Sequence, residues 1–221
     1  MRLRVAMVLL LLASPYQLGA AGEGTDAAQS TGSTVPTDNV ELARLYHDDQ
    51  ADRQPTAGKA IDWKIVEPRD KARQARVKEL YQNGQLLTGN DYYHAAMVLQ
   101  HGVVPEDFLL CHELCVAAII KGNKDARWLA AASEDRFLMN IDRPQRFGTQ
   151  FRSKSFNAPM TLYKTDDGVT DVLRMSFDVP TLEKARAREK RMNDMWKLQN
   201  QSSEPTPAPV TPVAGQPARE P

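Results

Sequence analysis

Three helical stretches follow one another between Thr88 and Met139 with almost no chain left over to join them, and this limits the architectures open to the sequence. Thr88, with Asp91 three positions on, forms a capping box that starts a helix over 90–101. Pro105, with Glu106 and Asp107 in its first turn, opens a second helix that closes at Gly122. Asn123 then caps a third over 124–139. Helices joined this tightly lie antiparallel. Their alanine pairs, Ala95-Ala96, Ala117-Ala118 and Ala130-Ala131, suit close backbone contact, either in an antiparallel helical bundle or in a helical-repeat-like packing.

Upstream, Asp38 with Glu41 predicts a helix running to about Arg53, and Pro68 suits the first position of another over 68–82, stopped at Gly84. After Pro144 the period changes. Residues 160–165 and 169–177 alternate on either side of Asp167-Gly168, a strong turn signal, and predict a hairpin over 160–177. The expected fold class is therefore mainly α, with a small C-terminal β-hairpin.

The ends of the chain read differently. Residues 1–21 carry Arg2 and Arg4, an apolar run from Val5 to Ala13, and small residues Gly19 and Ala21 at the −3 and −1 positions of a cleavage site. This is the pattern of a secretory signal peptide, and the run is too short to span a bilayer. Residues 22–37 are small and polar and read as a flexible linker. Residues 201–221 hold six of the 14 prolines and read as a disordered tail. The expected layout is a domain over 38–180, a charged helix over 181–200 and that tail, with the mature chain exported to the periplasm or extracellular space. The charged helix and the tail are the candidate surfaces for a protein partner. Balanced totals, 28 Lys+Arg against 28 Asp+Glu, argue against nucleic acid as a partner. No membrane span is expected after signal cleavage.

The helical wheel gives the first hint of a site. Leu42, Leu45 and Tyr46 define the apolar stripe of the first helix, yet Asp49 and Arg53 fall at its centre, four apart and in the favourable order for an ion pair. In 124–139, Asp135 lies in the middle of the face formed by Trp128, Ala131, Ala132, Leu138 and Met139, with Arg136 at its edge. Gln100 sits in a helix that is apolar nearly all round. A buried carboxylate left unpaired costs several kcal/mol, so these residues must find compensation. Either they satisfy one another as one interior network, or they converge on a water-filled cleft that receives a ligand.

Four segments in order, Asp49-Gln50-x-x-Arg53, Gln100-His101, Asp135-Arg136 and Gln145-x-Phe147-Gly148-Thr149-Gln150, resemble a bacterial domain-of-unknown-function family numbered six-six-two-four. The resemblance spans about 39–151, with Phe147 where a tyrosine is usual. It implies no activity, but it implies that these polar residues belong to one constellation.

The leading expectation is a non-catalytic binding or scaffolding module built around that cluster. The alternative is a small extracytoplasmic enzyme, with Asp135 and His101 as acid and base and Arg53 or Arg136 anchoring an anionic substrate. A purely structural protein acting through 181–200 and the tail is a third. No cofactor or metal is expected: His94 and His101, seven apart on a helix, are about 10 Å apart along the axis, too far to share one ion. Cys111 and Cys115 read as buried free thiols. A disulfide between successive turns of one helix would be strained, and a zinc site with His112 would lack a fourth ligand.

Overall fold

A computed structural model describes residues 36–54, 60–155 and 158–201. The signal peptide, nearly all of the linker and the proline-rich tail lie outside the described residues. Among the described residues there are seven helices and one two-stranded sheet: α1 Val40–Ala51, α2 Trp63–Gln82, α3 Gly89–Leu99, α4 Pro105–Ile120, α5 Ala126–Asn140, β1 Phe151–Ser153, β2 Met160–Leu162, α6 Asp171–Ser176 and α7 Leu182–Gln201. Mainly α with a small antiparallel pair is the fold class expected. No described helix is long and apolar enough to cross a membrane.

α4 packs between α3 and α5, while α1 and α2 cover α3 from the other side. Asn123, just past the end of α4, donates to Asn90 in the first turn of α3 at 2.9 Å, so these two helices run antiparallel. Ala95, Ala96, Ala118, Ala126 and Ala130 are all fully buried, and Leu42, Val77, Leu80, Leu99 and Leu114 fill the space between the axes. Small residues bring the backbones close, and the leucines supply apolar burial of roughly 1.5–3 kcal/mol each.

The helix starts differ from expectation in three places. Asn39, not Asp38, caps α1, accepting from the amides of Glu41 and Leu42 at 2.9 and 3.2 Å. Asp38 instead ties α1 to α3 by receiving Thr88 Oγ1 at 2.6 Å and Asn90 Nδ2 at 2.7 Å. α2 begins at Trp63 and runs straight through Pro68, because Asp62 caps it and burial of Val66 holds the turn before the proline. The proline removes one intrahelical hydrogen bond there. α5 begins at Ala126 rather than 124, since Asn123 Oδ1 accepts from Asp125 N and so shapes the turn ahead of the helix. The capping box of α3 forms as expected.

The hairpin is in a different place. Phe151, Arg152 and Ser153 pair with Leu162, Thr161 and Met160, so the partner of 160–162 lies upstream. The Asp167-Gly168 turn is present, but the residues after it form α6, capped by Thr170 Oγ1 accepting from Leu173 N at 3.3 Å. A short apolar alternation fits strand or helix, and here the helix start signal Thr170-Asp171 wins. The charged stretch expected over 181–200 forms α7, and its first half packs on the small sheet. Asn193 holds both backbone groups of Met160 at 2.8 Å, Arg188 lies over the ring of Phe151, and Ala185 is buried.

Candidate functional site

The polar residues singled out on the wheels are buried, but they do not meet at one point. They divide into separate clusters.

The first joins α1, α2 and the end of α3. Asp49 is fully buried; its Oδ1 accepts from Arg53 Nη1 at 2.8 Å and its Oδ2 from Gln50 Nε2 at 2.8 Å. Arg53 Nη2 then donates to Asp70 at 2.7 Å, Arg73 Nη2 donates to the other oxygen of Asp70 at 2.7 Å, and Arg73 Nη1 donates to Asp52 at 2.8 Å. Arg69 closes the series on Asp52 at 2.7 Å. Acid and base alternate along the series from Asp49 to Arg69, whose side chains are 1% and 58% exposed, so the chain of ion pairs leads from the core to solvent.

Charge alternation is what makes this burial tolerable, because each inner guanidinium lies between two carboxylates. Burial pushes the Asp52 carboxyl up, but the hydrogen bonds from Arg73 and Arg69 outweigh it and hold the group below the usual carboxylate range. At the inner end, His101 Nε2 lies 3.3 Å from Asp49 Oδ2, close enough for an ion pair but not aligned as a hydrogen bond. Burial pulls His101 below the ordinary histidine value, against the pull of Asp49, and favours the neutral ring. At the outer end, Arg73, Asp52 and Arg69 line an open concavity of about 490 Å³ between α1 and α2, together with Arg44 and Asp48.

The second cluster surrounds Asp135 on α5. Its Oδ1 accepts from the amides of Arg146 and Phe147 at 2.7 and 2.9 Å. Its Oδ2 accepts from Thr149 N at 2.9 Å and Thr149 Oγ1 at 2.7 Å. Gly148, at φ +80°, gives the backbone the left-handed bend that carries Thr149 N round to the same carboxylate. Burial raises the Asp135 pKa, against the donors of Phe147, Thr149 and Arg146. Gln145, fully buried, donates to the carbonyls of Gln150 and Tyr163 and accepts from Gln150 N. Gln150 Nε2 reaches Thr149 Oγ1 at 2.8 Å. The whole 145–150 segment is thus fastened to α5 through its own polar groups.

The last two residues stand elsewhere. Gln100 contacts the sulfur of Met97 at 3.4 Å. Arg136 is buried with its Nε and Nη1 unpartnered. The single constellation expected from the sequence is therefore corrected to several. A wheel gives a side chain's direction from its own helix axis, not the neighbour that it meets.

Sequence reasoning missed Asp52, Arg69, Asp70 and Arg73. The signal was there: Val66, Asp70, Arg73, Val77 and Leu80 recur at helical spacing and are all buried, so two charges interrupt an apolar stripe. Starting α2 at Pro68 removed Val66 and hid it. Arg174 on α6 was missed too. Its guanidinium donates to the carbonyls of Phe147, Arg146 and Val169 at 3.2, 3.2 and 2.6 Å, gripping the 146–149 segment from the side opposite in polarity to Asp135.

Among the described residues no three or more His, Cys, Asp or Glu side chains are grouped so as to hold a metal ion. Cys111 and Cys115 are both buried and free. No family model, curated protein or solved structure matches the chain.

Proposed function

We propose that this protein is an exported, non-catalytic binding or scaffolding module, in which the polar motif residues hold the helices in register and leave the surface free to meet partners. One observation carries the reading: both oxygens of Asp135, the best acid–base candidate, are saturated by four donors from 146–149. A general acid or base needs an oxygen or a proton free to face substrate. His101, the other half of the catalytic alternative, lies against Asp49 rather than Asp135. Most of the residues resembling family six-six-two-four fall on these helix-binding clusters, Gln100 and Arg136 excepted, and we infer membership on those motifs. For binding, the concavity where Arg44, Asp48 and Arg69 reach solvent is the polar surface available to receive a partner's charged side chain.

Thermal unfolding of the Asp135→Asn and Asp49→Asn variants tests the proposal. An amide keeps one acceptor and turns two N–H groups toward existing donors, so both variants should melt well below the wild type, each losing about 2–4 kcal/mol. An Asp135→Asn protein that melts at or above the wild-type temperature would overturn it, because that is the mark of a residue retained for function at the expense of stability.

A further inference from the structure

In the concavity between α1 and α2, hydrogen-bond donors are left over where acceptors are spent. Asp52 receives Arg69 Nη1 on one oxygen at 2.7 Å and Arg73 Nη1 on the other at 2.8 Å, and its side chain is only 13% exposed. Arg73 gives its Nη2 to Asp70 and is buried as well. The two remaining arginines keep capacity. Arg69 donates through Nη1 alone, and its side chain is 58% exposed. The Arg44 guanidinium makes no hydrogen bond among the described residues; its ion pair with Asp48 spans 3.5 Å, with the side chains 64% and 54% exposed. Leu45, Ala51 and Ala72 give the walls between these charges an aliphatic surface.

From this imbalance we infer that the concavity is a docking site for an acidic side chain of a partner protein, its carboxylate held by Arg44 and Arg69 and its stem lying on Leu45, Ala51 and Ala72. The planar guanidinium fork matches a carboxylate in geometry as well as charge. Three arginines against two aspartates leave the lining at +1, which suits a monoanion. Asp48, beside Arg44, repels a second negative charge and so disfavours a phosphate dianion.

The inference rests on reading this concavity as the binding surface, and it names the chemistry of what enters. A polypeptide fits better than a small free acid, because an open space of about 490 Å³ exceeds one carboxylate and its stem, and a partner brings further surface to it. Binding leaves the core closed. When Arg69 turns toward a ligand, Asp52 keeps its bond from Arg73, and the inner pairs of Arg53 with Asp49 and Asp70 are untouched.

The test follows the Nε–H NMR signals of Arg44 and Arg69 in the full chain during titration with a capped alanine–glutamate–alanine peptide. Both signals should shift saturably, and the same peptide with lysine in place of glutamate should leave them unmoved. Asp48→Asn removes the competing carboxylate and should tighten binding by about 2–5-fold, a gain that a merely structural role would not produce. Arg44→Gln and Arg69→Gln should each weaken it by about as much. Should either arginine variant melt early, the wild type and Asp48→Asn decide alone. No saturable shift at either arginine overturns the site, as does an equal response to the lysine peptide or an Asp48→Asn protein that binds no tighter. Butyrate, the same stem without a backbone, should bind several-fold more weakly than the glutamate peptide. Equal affinity would make the occupant a free acid, and tighter binding of inorganic phosphate would make it a general anion; either overturns the proposal. Such a failure leaves the structural reading of Asp135 and Asp49 standing, since melting temperatures judge that one.

Discussion

Asp135 Oδ2 accepts both the amide and the hydroxyl of Thr149, at 2.9 and 2.7 Å, so one residue of the 145–150 segment is held to α5 by two of its groups at once. The same hydroxyl receives Gln150 Nε2 at 2.8 Å. A single oxygen therefore links the helix carboxylate to the last residue of the motif.

Replacing that oxygen should be felt at both ends. Thr149→Val keeps the shape and the amide bond but removes the hydroxyl, leaving Gln150 Nε2 with only the longer contact to Ala132 O at 3.4 Å. We expect a loss of about 1–2 kcal/mol in urea unfolding, with Thr149→Ser restoring most of it. A Thr149→Val protein as stable as the wild type would show that the segment is held by its backbone alone.

The ion-pair chain across α1 and α2 should behave as one unit. Asp70→Asn strips Arg53 and Arg73 of a shared carboxylate and should cost about 3–5 kcal/mol. Asp49→Asn combined with Arg53→Met should cost less than the two single changes added together, with a coupling of about 0.5–3 kcal/mol. Additive losses would mean that the two side chains meet without energetic consequence.

Histidine ionisation sets a pH window. Burial lowers the pKa of both His101 and His94 from 6.5 in the folded chain. The unfolded chain therefore binds more protons just below 6.5, so stability rises with pH up to that value and is lost as pH falls beneath it. Asp49, Arg53 and Asp70 are the charges that act on His101. Melting temperatures between about pH 8 and 5 should fall in the wild type and fall less steeply in His101→Gln, with His94→Gln removing a further share. An unchanged slope in both variants would place the transition on other groups. The lowered carboxyl of Asp52 acts in a separate, more acidic window, where stability is lost as pH drops below 3.8.

Local signals fixed much of this protein in advance. The Thr88–Asp91 capping box, Pro105, Gly122 and the apolar stripes determined α3, α4 and α5 and their antiparallel connection, because those choices depend on residues within one turn of each other. The wheel also identified Asp49, Arg53, Gln100, Asp135 and Arg136 as buried, since a polar residue within an apolar stripe has only one way to face. Tertiary structure decided who meets whom. Asp70 and Arg73 reach Arg53 and Asp52 across α1 and α2, Asp135 meets a segment 11–14 residues further on, and the strand 160–162 chooses a partner upstream of it. Burial is a property of one helix face and is written in its periodicity. Pairing depends on how two faces are placed against each other, and no spacing within either segment records that.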